Sequence, residues 1–228
     1  NTQQQKKGAR SIALGRAEGF ADCTAEQAAA WYFEFCSRER NTISWEAGNP
    51  ARLEIRKGAT LKKTNEKLFA TVKTMPFMLH NREFVFKHLW RKNNDGSITV
   101  AVSSVPVGID YGKRLGNLVK GTTKALFTAT NIVKRGGLTQ CNIKLLQYLD
   151  AGGHIPVSLI NKKLPLALKP LHEVSDALKK DEEIDRAELA SLANIMKNEQ
   201  QHYTEEEEEA IRKGKEFYER CKASKNFK

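Results

Sequence analysis

The sequence predicts an α+β fold in which a curved antiparallel sheet has a long C-terminal helix laid across it. Three observations predict this. Between residues 52 and 149, short β-favouring runs alternate with turn signals, the mark of consecutive strands joined by hairpins. From Pro156 the apolar period changes from two to about 3.6. The 228 residues are 40% hydrophobic, enough for a sizeable core, and they contain no run of the roughly 18 apolar residues that a membrane span needs.

Taken in order, residues 10–21 read as a strand, with Ile12 and Leu14 alternating against small or polar neighbours. Thr24 and Gln27 form a capping box ahead of AAAWYFEF, which predicts a helix ending near Arg38. Residues 41–50 read as a connector holding Trp45, Gly48 and Pro50. Strands are expected at Arg52–Lys57, Leu61–Lys63, Lys67–Lys73, Phe84–Arg91, Ile98–Val105, Ala125–Val133 and Cys141–Leu149. Asn93-Asn94-Asp95-Gly96 marks one hairpin and Gly136-Gly137 another, since Asn and Gly tolerate positive φ. Beyond Pro156, Ile160, Leu164, Leu168, Leu171 and Leu178 fall on one helical stripe, and Pro165 and Pro170 predict a kink or a broken first turn. The pairs Asp185/Glu188 and Thr204/Glu207 read as capping boxes that start helices near 186–199 and 205–222. The run Glu205–Glu209 then occupies a first turn, where the helix dipole favours carboxylates.

The formal net charge is +11, and it is unevenly spread. Residues 1–150 carry 24 Lys and Arg against 12 Asp and Glu, whereas residues 151–228 carry 14 against 15. A basic body with a near-neutral tail points to an anionic partner, either lipid headgroups or nucleic acid. The four cysteines, Cys23, Cys36, Cys141 and Cys221, have neither disulfide-framework nor metal-ligand spacing. With no N-x-S/T acceptor and no N-terminal apolar stretch, they read as thiols in a reducing, cytoplasmic compartment. The chain starts at Asn1 without an initiator Met, as expected of a piece of something longer.

Catalytic signatures are absent: there is no G-x-G-x-x-G, G-K-[ST], G-x-S-x-G or H-E-x-x-H. His154 follows Asp150 across a Gly-Gly loop with no third ligand nearby, so no metal site is expected. His88 alternates with Phe84, Phe86 and Trp90 along a strand and reads as a packed core histidine. No nucleophile is paired with a base, so no catalytic residue and no cofactor are assigned.

MPFMLHNREF at residues 75–84 and DAGGHIP at 150–156 resemble two signatures of START domains, the lipid-transfer modules related to steroidogenic acute regulatory protein. The first is similar to P-x(n)-[NS]-R-[DE]-[FY], through Pro76 and Asn81-Arg82-Glu83-Phe84, and leads into a strand bearing Trp90, followed by one ending in Ser104-Val105. The second is similar to D-P-G-G-x-[IAV]-P with Ala151 in place of Pro, and Trp45-Glu46 resembles the family's W-[DE]. The resemblance covers residues 10–180 in order and leaves 181–228 as a helical C-terminal extension. It departs from the family in lacking the helix expected before the first strand.

What the resemblance implies is a helix-grip fold: a U-shaped antiparallel sheet gripping the C-terminal helix around one lipid of sterol, phospholipid or ceramide class, without catalysis. Burying a chain of ~16 carbons at about 0.8 kcal/mol per methylene favours a dry cavity over water by roughly 12 kcal/mol. A bilayer offers the same gain, so a carrier needs a gate that opens at the membrane. The resemblance places that gate in residues 107–120, with Tyr111, Lys113, Arg114, Leu115 and Leu118, together with the C-terminal helix. Such apolar and cationic residues suit an anionic membrane surface. The family's inward strand phase implies lipid-binding roles for Val100, Val102, Ser104, Ile143, Leu145 and Gln147, with Leu164 and Leu168 from the helix. Gln147 is the polar exception able to bond a headgroup or hydroxyl. Glu46 matches a position that reaches the ligand's polar end, or else it pairs with Arg40 or Arg82. Arg82 is expected in a structural ion pair.

The reading that follows is non-enzymatic lipid binding and transfer by a peripherally membrane-associated cytoplasmic domain. The alternative is a ligand-sensing module of a larger regulatory protein, with a protein partner on residues 181–228. Nucleic-acid binding rests on charge alone and lacks any motif. A cyclase-like enzyme on the same scaffold is a matter of the site, not the fold.

Overall fold

The computed structural model describes residues 12–55, 64–76, 79–112, 115–135, 137–153, 155, 157–198 and 202–223, without the side chains of 133–135, 157–165 and 223. Strand β1 (Ile12–Ala21) forms where the alternation predicts it. Its outward face carries Leu14 and Phe20, while Ala13, Gly15, Ala17, Gly19 and Ala21 turn inward. Small residues face the core because the long C-terminal helix lies close against them: a Cβ on Gly19 would stand 3.3 Å from Leu171 Cδ2.

Helix α1 (Ala25–Phe33) starts at the expected capping box, with both the Thr24 and Gln27 bonds formed. Its flat stripe of Ala25, Ala28 and Ala29 lets the backbone sit close to the sheet. The helix stops at Phe33, short of the expected Arg38, and a second helix, α2 (Arg38–Glu46), occupies the predicted connector. Ser37 is the reason: its hydroxyl accepts from Arg40 N and caps the new helix.

The remaining strands are β2 (Ala51–Glu54), β3 (Glu66–Lys73), β4 (Arg82–Lys92), β5 (Ile98–Ser104), β6 (Val119–Lys120), β7 (Thr122–Arg135) and β8 (Leu138–Asp150). The expected strand at Leu61–Lys63 lies outside the described residues. The strands form one eight-stranded curved sheet in the order β1-β8-β7-β5-β4-β3-β2, antiparallel throughout except for β6, which pairs parallel with β4. The first strand therefore closes on the last, Ile12 opposite Asp150 and Ala21 opposite Cys141. The β4–β5 hairpin turns at the predicted Asn-Gly segment, with Gly96 at φ 81 and Asn93 Nδ2 donating to Ser97 and Thr99 hydroxyls.

Helix α3 (Val157–Ala177) is helical throughout, across both Pro165 and Pro170, so the expected broken first turn does not occur. It is held along β1 by Leu171 and Val174 in the core and by Ser175 Oγ, which donates to the Phe20 carbonyl at 2.8 Å. Asp22 tethers its end, accepting from Lys180 N at 3.1 Å and from Gln140 Nε2 at 2.6 Å. The core fills the space between sheet and helices with Phe69, Phe127, Ile143, Leu145 and Val174, all fully buried.

Helix α4 (Asp181–Asn198) begins before the predicted Asp185 cap, because Asp181, Glu182 and Glu183 already supply a first turn suited to the dipole. Helix α5 (Glu205–Ala223) starts as expected, with Thr204 N donating to Glu207 Oε2 and Glu207 N to Thr204 Oγ1. The chain divides into two compact units, residues 1–184 and 185–228. No helix among the described residues is long and apolar enough to cross a membrane.

Candidate functional site

Within the first unit, a cavity of about 460 Å3 opens between the inward face of the sheet and helices α2 and α3. Such a volume lies in the range of small-molecule sites. Each wall is an alternation or a helical stripe. Strand β3 contributes Thr71 and Lys73, β4 contributes Arg82, Phe84, Phe86 and His88, and β8 contributes Gln147 and Leu149, all at i, i+2 spacing. Helix α2 contributes Arg40, Ile43, Ser44 and Ala47 at i, i+3, i+4 and i+7. Helix α3 closes the space with Leu166, Ala167, Lys169, Pro170 and Glu173.

Phe84, Phe86, Val102, Leu149 and Leu166 make the wall's apolar part; Arg40, Arg52 and Lys73 gather cations towards α2, β2 and β3, with Arg82 on β4 and the Lys169–Glu173 pair on α3 besides. Arg40 is 4% exposed; its Nη1 donates to the carbonyls of Trp31 and Glu34, and its guanidinium stands 4.3 Å over the Trp31 ring. Arg52 Nε donates to the Phe35 carbonyl at 2.8 Å, with its guanidinium 3.6 Å over the Phe35 ring. Burial, reinforced by neighbouring Arg40, lowers the Arg52 pKa to about 10. Lys73 is half-buried; burial and then the Arg52 charge lower its pKa to about 8, with Glu173 pulling the other way.

Arg82 ties the two family-like motifs together. Its Nε donates to the Ala151 carbonyl at 3.1 Å, Nη2 reaches the Gly152 carbonyl at 3.5 Å, and Nη1 bonds the His80 carbonyl. The expected structural ion pair is thus a clasp on backbone carbonyls. It needs an acceptor-rich turn, and Gly152 and Gly153, at φ 67 and 63, supply one.

Of the lipid-binding residues expected from sequence, Val102 and Gln147 line the cavity. Gln147 Nε2 donates to Thr123 Oγ1, which itself donates to the Tyr148 carbonyl. Val100, Ile143 and Leu145 are fully buried in the packed core, and Leu168 packs against that core. Ser104 Oγ accepts from Thr123 N at 2.7 Å and is thereby spent on joining the end of β5 to β7. Glu46 is exposed on the outer side of α2, and the side chain of Leu164 lies outside the described residues. In the expected gate, Tyr111, Leu115 and Leu118 are half-buried, and Lys113 and Arg114 lie outside the described residues. Burial, with Glu83 nearby, raises the Tyr111 pKa.

His88 takes the packed role read from its strand. It is 3% exposed, stacks on Tyr32, and its neutral ring donates from Nδ1 to the Phe33 carbonyl at 3.1 Å. Sequence reading passed over Arg40, Arg52, Lys73 and the α3 residues Ala167 and Glu173. The signal available was the i, i+4 pair Arg40/Ser44 behind the Ser37 cap, whose buried stripe is polar.

No family model and no curated protein sequence matches the chain. Solved structures do. The human StarD13 (DLC2) lipid transfer and protein localization domain is 15% identical, with 74% of this chain and 78% of that one covered at a TM-score of 0.53. Human STARD10 is 18% identical over 72% of this chain and 62% of that one, less than two thirds of its length, at 0.51. Human StAR-related lipid transfer protein 5 is 14% identical over 75% and 84%, at 0.52. The chain has a START-like helix-grip fold.

Proposed function

We propose that this chain binds one lipid in the cavity between the sheet and α3 and carries it without catalysis, working as a cytoplasmic domain that docks peripherally on anionic membranes. The observation that carries the reading is the cavity itself: 460 Å3, with Phe84, Phe86, Val102, Leu149 and Leu166 in its wall. An apolar chain gains about 0.8 kcal/mol per methylene on entering such a space. The START-like fold supports the same reading, and the names of two structural neighbours include lipid transfer. Val102 and Gln147 serve as ligand-facing wall, and residues 107–120 with α3 serve as the gate, through Tyr111, Lys113, Arg114, Leu115 and Leu118.

The test is native mass spectrometry of the purified chain, followed by organic extraction and an uptake assay from vesicles of phosphatidylcholine, cholesterol and ceramide. A bound lipid of defined class is expected. Ala167→Trp, which fills the cavity from α3, is expected to cut uptake at least tenfold while the chain stays folded. A chain that carries no lipid and takes none from the vesicles contradicts the proposal.

A further inference from the structure

Among the described residues that line the cavity there are five cations, Arg40, Arg52, Lys73, Arg82 and Lys169, and one carboxylate, Glu173. One of the five has a carboxylate partner: Lys169 pairs with Glu173 at 3.3 Å along α3. Arg82 has none, but each of its three guanidinium nitrogens is taken by a backbone carbonyl, of Ala151, Gly152 or His80. That leaves Arg40, Arg52 and Lys73 clustered at the α2–β2–β3 end. No carboxylate among the described residues stands within ion-pair distance of any of them, and the Lys73 side chain has no hydrogen bond among those residues either.

A purely structural role covers only part of this cluster. Arg40 and Arg52 staple carbonyls at the end of α1 and in the α1–α2 link, which satisfies some donors; the one carboxylate of the described lining, Glu173, acts on all three cations but already pairs with Lys169, so the positive charge is only partly offset. Arg40 Nε is buried without a partner, and one turn along the same face Ser44 Oγ is buried without one too. Both residues line the cavity. A buried cation is costly unless it is paired, and three together repel one another as well. Burial and the Arg52 charge already weaken proton binding by Lys73. An anion placed among the three would answer all of these deficits at once, with two guanidinium groups suited to a planar or tetrahedral oxyanion.

Resting on the lipid-cavity reading, we infer that the ligand is an amphiphile with an anionic head, a carboxylate or a phosphate, seated between Arg40, Arg52 and Lys73. The chain then runs along Phe84, Phe86, Leu149 and Leu166.

The experiment measures binding of four probes to the delipidated full chain: palmitate, palmitoyl-lysophosphatidate, palmitoyl-lysophosphatidylcholine and hexadecanol. At least one of the two anions is expected to bind tenfold or more tightly than hexadecanol, and the tighter of the two identifies the head as carboxylate or phosphate. Preference for lysophosphatidate over lysophosphatidylcholine shows that net charge is read, not phosphate alone. Lys73→Gln is expected to narrow the anion-to-hexadecanol ratio at least fivefold, and Lys73→Arg to restore it. Equal binding of hexadecanol and both anions overturns the inference while leaving the lipid-carrier reading intact. An anion preference that survives Lys73→Gln unchanged overturns the placement of the head. Failure of all four probes to bind counts against the carrier reading itself.

Discussion

His88 is enclosed by Tyr32, Phe33, Phe69 and Phe86, and its ring centroid lies 5.0 Å from that of Phe69. Desolvation, reinforced by the Arg40 and Arg52 charges, lowers its pKa to about 3, although the Phe33 carbonyl pulls the other way. In the unfolded chain the ring protonates near 6.5, so between pH 6.5 and 3 the unfolded state holds the extra proton and stability falls with pH. At pH 5 the deficit is about 2 kcal/mol. Urea midpoints for wild type are therefore expected to drop between pH 7 and 5, and His88→Phe is expected to flatten that slope while losing about 1 kcal/mol at pH 7 for the missing hydrogen bond. A slope identical in the two proteins contradicts this account. At this scale the sequence was readable where side chains alternate: the buried place of His88 follows from strand phase, whereas the inward phase implied by the family resemblance did not separate Val102 and Gln147, which line the cavity, from Val100, Ile143 and Leu145, which lie in the core. Arg40, Arg52 and Lys73 were not readable, because a cation in a polar stretch has the same signature whether it faces water or a cavity.

Helix α2 shows why an element can vanish from a sequence reading. Its residues RERNTISWE carry no apolar stripe, and the two that are buried, Arg40 and Ser44, are polar. Hydrophobic periodicity reports burial against a core, whereas this helix buries its stripe against a cavity. Only the Ser37 cap was there to be seen. The opposite case is β1, where alternation gave the strand but not the side facing the core, since the deciding quantity is how closely α3 approaches Gly19. The Arg82 clasp was half legible: both of its motifs were visible, but not the bonds between them. That clasp makes a sharp expectation. Gly152 sits at φ 67, and a Cβ there would come within 2.3 Å of the Lys120 carbonyl oxygen. Gly152→Ala is expected to cost at least about 3 kcal/mol in a denaturant titration, from strain and clash together. Gly116→Ala, at φ 62 with open space around the new Cβ, is expected to cost about 1–2 kcal/mol. Equal losses at the two sites would mean that the approach of residue 152 to β6 is unimportant.

The whole chain is uneven in how it is held together. In the first unit, β7 and β8 pair along most of their length, and Phe127, Ile143 and Leu145 are sealed beneath the helices. The closure of β1 on β8 joins residues more than a hundred positions apart, so local patterns could not reveal it; the ordered family-like motifs implied the fold instead. In the second unit, by contrast, no described residue is buried, and Leu189, Leu192, Met196, Phe217 and Tyr218 are all exposed. What supports α5 is local: the Thr204 cap, the Arg212 pairs with Glu209 and Glu216, and Lys213 with Glu209 at 3.3 Å. Pairs of this kind are worth about 0.3–0.5 kcal/mol each, and a 19-residue helix held only by them is marginal in water. Hydrogen exchange at pH 7 is therefore expected to run on the order of a hundredfold faster in α5 than at Phe127 and Leu145. Raising the salt should speed α5 further by screening its pairs, and leave β7 and β8 unchanged. If α5 exchanges as slowly as the sheet, its exposed aromatic residues are covered in solution, and the extension is held by contacts outside itself.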